Sequence, residues 1–77
     1  MDIKVFVEGA GEVLIEKDSQ LKDVAKKAFG NNYRKYLGAK IRNEVYNLNK
    51  QVDNHMYIKF LDITDIDGYR IYTRTIS

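Results

Sequence analysis

Hydrophobic and polar positions alternate without a break over residues 2–8, with Ile3, Val5 and Val7 on one side and Asp2, Lys4, Phe6 and Glu8 on the other. A period of two carried by β-branched residues predicts a half-buried strand. Gly9-Ala10-Gly11 supplies a tight turn. Residues 12–16 then return with Val13 and Ile15 facing inward, so the first unit reads as a β-hairpin. Phe6 and Leu14 fall on the nominally polar side, which points to partial cover of that face.

The period then changes. Leu21, Val24, Ala25, Ala28 and Phe29 stand at i, i+3, i+4, i+7 and i+8, the spacing of one helix face. Lys22, Asp23, Lys26 and Lys27 take the wet side. Ser19 is placed to cap the N-terminus, its hydroxyl accepting from an orphan backbone N–H. Lys26 and Lys27 complement the negative end of the helix dipole, and Gly30 stands where a left-handed C-terminal cap belongs. The spacing predicts a helix over residues 20–29 that buries Leu21, Val24, Ala25 and Ala28.

Residues 31–38 are polar and aromatic, a loop or short helical turn. Residues 39–42 and 45–48 are short strand candidates around an Asn43-Glu44 turn. Residues 57–63 form a longer apolar strand. Asp67-Gly68 signals a hairpin, and residues 69–73 form the last strand. The order reads β-β-α-β-β-β, and the economical packing is a mixed sheet of about five strands closed over one main helix. That is α+β, β-grasp or ubiquitin-like, architecture.

Composition narrows the functional classes. At 77 residues there is room for one domain over residues 1–77, with a thin core that cannot wrap a deep substrate cavity. No cysteine is present, so disulfides and thiolate metal sites are excluded. No signal-peptide pattern opens the chain, and no apolar run approaches the ~20 residues that span a bilayer. A cytoplasmic, reducing setting is expected. The net charge of +2 hides an uneven distribution. The first 18 residues carry a balance of −3, residues 22–42 a balance of +6, and Asp62, Asp65 and Asp67 form an acidic loop near the C-terminus.

Catalytic chemistry finds little to work with. His55 is the single histidine, without the further ligands that zinc needs, and reads as a surface loop residue. Ser19 is accounted for by the helix cap and Ser77 is terminal; no nucleophile elbow or phosphate-cradling glycine loop exists. A calcium loop ending its turn at Gly68 would place Ile63 and Arg74 at ligand positions, and neither side chain coordinates calcium. No catalytic residue, cofactor or metal site is assigned.

The basic middle is richer. Lys22, Lys26, Lys27, Arg34, Lys35, Lys40 and Arg42 interleave with Tyr33 and Tyr36, a pattern that can hold phosphates and stack bases. A solvated helix face accounts for the three helix lysines equally well. The sequence pI of about 8.9 sits just below the nucleic-acid footprint. Arg70, Tyr72 and Arg74 share one face of the last strand, either as a charge-protected edge or as a docking edge.

The whole chain resembles the TGS domain, the β-grasp module named for threonyl-tRNA synthetase, GTPases and stringent-response guanosine-polyphosphate synthetases. The matching pieces are Ile3-Lys4-Val5-Phe6-Val7, Ser19-Gln20-Leu21-Lys22-Asp23-Val24-Ala25, and Gly38-Ala39-Lys40-Ile41-Arg42-Asn43-Glu44-Val45-Tyr46-Asn47-Leu48. The ending, from Phe60-Leu61-Asp62 through Asp67-Gly68-Tyr69 to Arg74, is similar to the junction in bacterial uridine-kinase-like proteins, where a TGS domain precedes the kinase domain. Asn43-Glu44 departs from the family's usual Asn-Gly turn, and Gly9-Ala10-Gly11 from its proline-containing first turn. The ending Thr75-Ile76-Ser77 lacks the Gly-Gly of ubiquitin-like carriers.

The resemblance implies a non-catalytic regulatory or docking module. Its parent is a larger, uridine-kinase-like nucleotide enzyme whose catalytic part lies beyond Ser77. The parent's following domain is the expected partner; no membrane, metal or cofactor is expected. The alternatives are an RNA-binding module of a synthetase or stringent-response protein, and a stand-alone ubiquitin-like partner-binding protein.

Overall fold

The first two alternating runs become β1 (Asp2–Val7) and β2 (Gly11–Glu16), paired antiparallel with Asp2 opposite Glu16 and Val7 opposite Gly11. Gly9 and Gly11 take φ of +88° and +81°, which a side chain would resist, so the tight reversal uses both glycines. Val5, Val7, Val13 and Ile15 are buried on one face. The computed structural model describes residues 1–62 of the 77. The Asp67-Gly68 hairpin and the strand expected over residues 69–73 lie outside the described residues, as do Ile63, Asp65 and Asp67.

The helix α1 spans Leu21–Phe29 and buries Leu21, Val24 and Ala25 against the sheet; Ala28 is only half-buried. Ser19 is not its cap. The cap residue is Gln20, whose backbone N–H donates to Asp23 Oδ2 at 3.0 Å. Ser19 stands one residue too early because its carbonyl accepts from Val52 N–H at 2.9 Å, tying it to a distant loop. Other orphan donors of the first turn are met across the fold. Leu21 N–H donates to the Lys50 carbonyl at 2.9 Å and Lys22 N–H to the Leu48 carbonyl at 3.0 Å. Asp23→Ala should therefore cost about 0.5–2 kcal/mol of stability while Ser19→Ala is near neutral. Urea unfolding of the two variants checks this, and the reverse order would restore Ser19 as the cap.

Gly30 ends α1 with positive φ, as expected, but with φ 60° and ψ −134° it is not the left-handed helical cap. The chain enters a 3₁₀ helix, Gly30–Lys35, and then β3 (Tyr36–Ile41), which begins three residues before the expected strand. The turn to β4 (Glu44–Tyr46) also falls one residue earlier than expected. Arg42 and Asn43 both have positive φ, 52° and 66°, and Ile41 pairs with Glu44. Two positive φ values are what a two-residue hairpin of the primed type demands. Leu48 lies outside β4 and supplies a helix-capping carbonyl instead.

The last described strand, β5 (Tyr57–Asp62), completes a five-stranded mixed sheet in the order β2-β1-β5-β3-β4. β5 runs parallel to β1 and antiparallel to β3. Its most apolar stretch thus sits in the sheet centre, where both edges are hydrogen-bonded. Ile58 and Phe60 join the core under α1; Leu61 is buried too and points to the other face by alternation. The preceding segment runs along β1: His55 N–H donates to the Lys4 carbonyl and Phe6 N–H to the Met56 carbonyl. The fold is α+β, a mixed sheet on a single helix in a β-grasp-like arrangement. No helix among the described residues is long and apolar enough to cross a membrane.

Candidate functional site

The basic middle of the sequence is divided in space. Lys22, Lys26 and Lys27 occupy the exposed side of α1, and Tyr33, Arg34 and Lys35 follow on the 3₁₀ helix. Lys40 lies on the opposite face of the sheet, because its neighbours Ala39 and Ile41 point into the core. Arg42 sits in the β3–β4 turn. The nine candidate residues therefore do not share one surface.

The two tyrosines also differ from free stacking platforms. The Tyr36 ring packs 4.8 Å from Phe29 and 5.6 Å from Phe60, and those two meet edge to face at 5.9 Å. Tyr36 is thus part of the seam between α1 and the sheet. Lys35 Nζ lies 5.2 Å from its ring centroid, and Lys26 Nζ lies 5.3 Å from that of half-buried Tyr33. Lys27 Nζ donates to the carbonyl of Leu14 on the outer strand β2, which occupies an edge acceptor. Among the described residues no carboxylate forms an ion pair with Lys22, Lys26, Arg34 or Lys35. Arg70, Tyr72 and Arg74, the expected docking edge, lie outside the described residues.

Two surface features were not anticipated. The sheet face opposite α1 exposes apolar side chains: Tyr57 is 63% exposed, Leu14 50% and Val45 42%. Charges stand between them, paired as Lys4 with Glu12 at 3.2 Å and Lys59 with Glu8 at 4.0 Å. The second feature is a wide notch of about 840 Å³ where the β3–β4 turn stands away from the segment leading into β5. Lys40, Arg42, Lys50, His55, Tyr57 and Lys59 line it, with Glu8, Glu44 and Asp53 as its acids. Small size argues against a deep cavity, and this one is open, formed between separate chain segments.

Glu44 accepts from the Tyr46 hydroxyl at 2.6 Å, and Lys50 Nζ stands 4.4 Å from the Tyr46 ring centroid. The hydrogen bond to Glu44 holds the Tyr46 phenol above its ordinary range. His55 is exposed, with φ of +65°. Among the described residues no group of three or more His, Cys, Asp or Glu side chains is placed to hold a metal ion. Compared with protein-family models and with curated proteins, the chain matches none.

Proposed function

We propose that this chain is a non-catalytic regulatory or docking module of a larger nucleotide enzyme, working through the sheet face opposite its helix. The observation that carries this reading is the exposure of Leu14, Val45 and Tyr57 on that face. Apolar side chains set among paired charges suit a protein surface that associates, since a partner covering them removes apolar area from water while the charges keep their partners. Full burial of one such side chain against a partner is worth about 1.5–3 kcal/mol.

A second reading, an RNA-binding module, has one observation in its favour: Lys22, Lys26, Arg34 and Lys35 around α1 form no ion pair among the described residues. Against it stand the packing of Tyr36 and the placement of Lys40 across the sheet.

One experiment with two arms separates these readings. Amide hydrogen exchange is measured on the isolated chain and on the full-length parent. Docking is expected to slow exchange in the outer strands β2 and β4, which carry Leu14 and Val45. Equal exchange in both samples would overturn the docking reading. In the second arm, short single-stranded RNA is titrated at low salt. Amide shifts centred on Lys22, Lys26, Arg34 and Lys35 that vanish at higher salt would favour RNA; unshifted amides there are the expected result.

A further inference from the structure

We infer that the sheet face opposite α1 binds a second copy of this chain, packed about a two-fold axis that runs along the strands between β1 and β5. This rests on the docking reading above and names its partner. The strand registers fix what the face presents. Phe6 lies beside Tyr57 across β1–β5 and beside Glu12 across β1–β2, with Leu14 diagonal to it. Phe6 is half-buried and Tyr57 is 63% exposed, an aromatic pair in the middle of the face. Further along the strands Glu8 stands 4.0 Å from Lys59. Arg42 shares the open notch with Tyr57 and Lys59, so it stands on the same side of the sheet.

A closed pair of identical chains uses one patch twice, so each contact is made again with the roles exchanged. An axis between β1 and β5, parallel to both, lays β1 of one copy over β5 of the other and β2 over β3. Phe6 then meets the partner's Tyr57, Glu8 meets the partner's Lys59, and Glu12 meets the partner's Arg42. Opposite charges face each other at every polar contact, around an aromatic centre. An axis across the strands through Phe6 and Tyr57 lays each strand over itself instead, and sets Glu12 on the partner's Glu12. Like charges juxtaposed in an interface oppose association. The charge pattern selects the first arrangement.

The same arrangement suits the sheet and the side chains. Sheets packed face to face keep their strand directions within about 30° of each other, which an axis along the strands allows. Arg42 forms no ion pair among the described residues. Glu12 holds Lys4 through Oε1, which leaves Oε2 for a guanidinium. Glu8 and Lys59 stand at the limit of an ion pair within one chain, so each can turn to the partner. Few apolar side chains occupy the centre, which puts the contact among small, reversible interfaces.

The test is sedimentation equilibrium of the chain and of two charge reversals. The chain is expected to dimerise with a Kd on the order of 100 µM. Glu8→Lys and Lys59→Glu should each weaken the dimer about 10-fold or more, because both copies of the contact then carry like charges. Mixed in equal amounts, the two variants should dimerise with each other, since each offers the charge that the other lacks. Neither variant keeps the pair within its own chain, so recovery on mixing arises only between chains. Both side chains are about half exposed, 53% for Glu8 and 49% for Lys59, so the melting temperatures should stay near that of the unaltered chain. Tyr57→Ala should weaken the dimer on the order of 10-fold, and Tyr57→Phe should retain it.

A chain that stays monomeric up to about 1 mM overturns the inference. So does a dimer that either single reversal leaves intact, or a mixture of the two variants that sediments as monomers. Amide shifts on dilution that map to α1 would place the contact on the helix, with the same consequence. The docking reading is tested apart, by exchange at low micromolar concentration, where the isolated chain is monomeric. Slowed exchange in the parent beside an isolated chain that never dimerises overturns the second copy alone. Equal exchange beside a chain that self-associates overturns the docking reading alone.

Discussion

Val24→Asp is expected to abolish the native fold at room temperature. Val24 lies at the centre of the α1 face that meets the sheet and is 0% exposed. A carboxylate there loses its hydration and meets only apolar neighbours of the core cluster. Burying an unpaired ionised group costs several kcal/mol even after the group shifts its pKa to become neutral. A chain of 77 residues has about 4–11 kcal/mol of net stability to lose. Circular dichroism with thermal melting is the measurement: the variant should show no cooperative transition. Retention of the wild-type melting temperature would mean that another face of α1 is buried.

The second large effect is expected at Phe60, which is 6% exposed and joins the sheet to the rings of Phe29 and Tyr36. Phe60→Ala removes the ring, leaves a cavity and takes from Phe29 and Tyr36 their contact with β5. Such truncations cost about 3–5 kcal/mol. Phe60→Leu, which keeps part of the volume, should cost distinctly less, because only the ring-to-ring geometry and a smaller space are lost. Urea unfolding gives both numbers. A cost below about 1 kcal/mol for Phe60→Ala, within the range of a surface change, would remove the aromatic seam as a source of stability.

Much of the architecture was legible locally. The alternation of Ile3, Val5 and Val7 and of Val13 and Ile15 places these residues on one face, and β1 and β2 follow it. The spacing of Leu21, Val24 and Ala25 identifies the buried stripe of α1. These readings succeed because side-chain direction repeats with a fixed period inside one element, whatever lies beyond it. Boundaries read less well. Ser19 has the better capping chemistry, yet Gln20 holds the position, since the Ser19 carbonyl is bonded to Val52, more than thirty residues on. Tyr36 reads as a loop aromatic beside Lys35 and becomes part of β3, since only the folded chain brings Phe29 and Phe60 to its ring.

The candidate site divides in the same way. The abundance of cations over residues 22–42 is a property of the sequence, as is the composition that suits a single small α+β unit. Lys40 falls on the side of the sheet away from α1 by alternation with Ala39 and Ile41, and the strand order β2-β1-β5-β3-β4 sets it beside Lys59. The notch needs Glu8, the turn at Arg42 and Asn43, and the approach to β5 together, and no periodicity relates those segments. Local patterns determine which side of an element is apolar. Which elements become neighbours depends on burying all those sides at once, a condition met only by the whole fold.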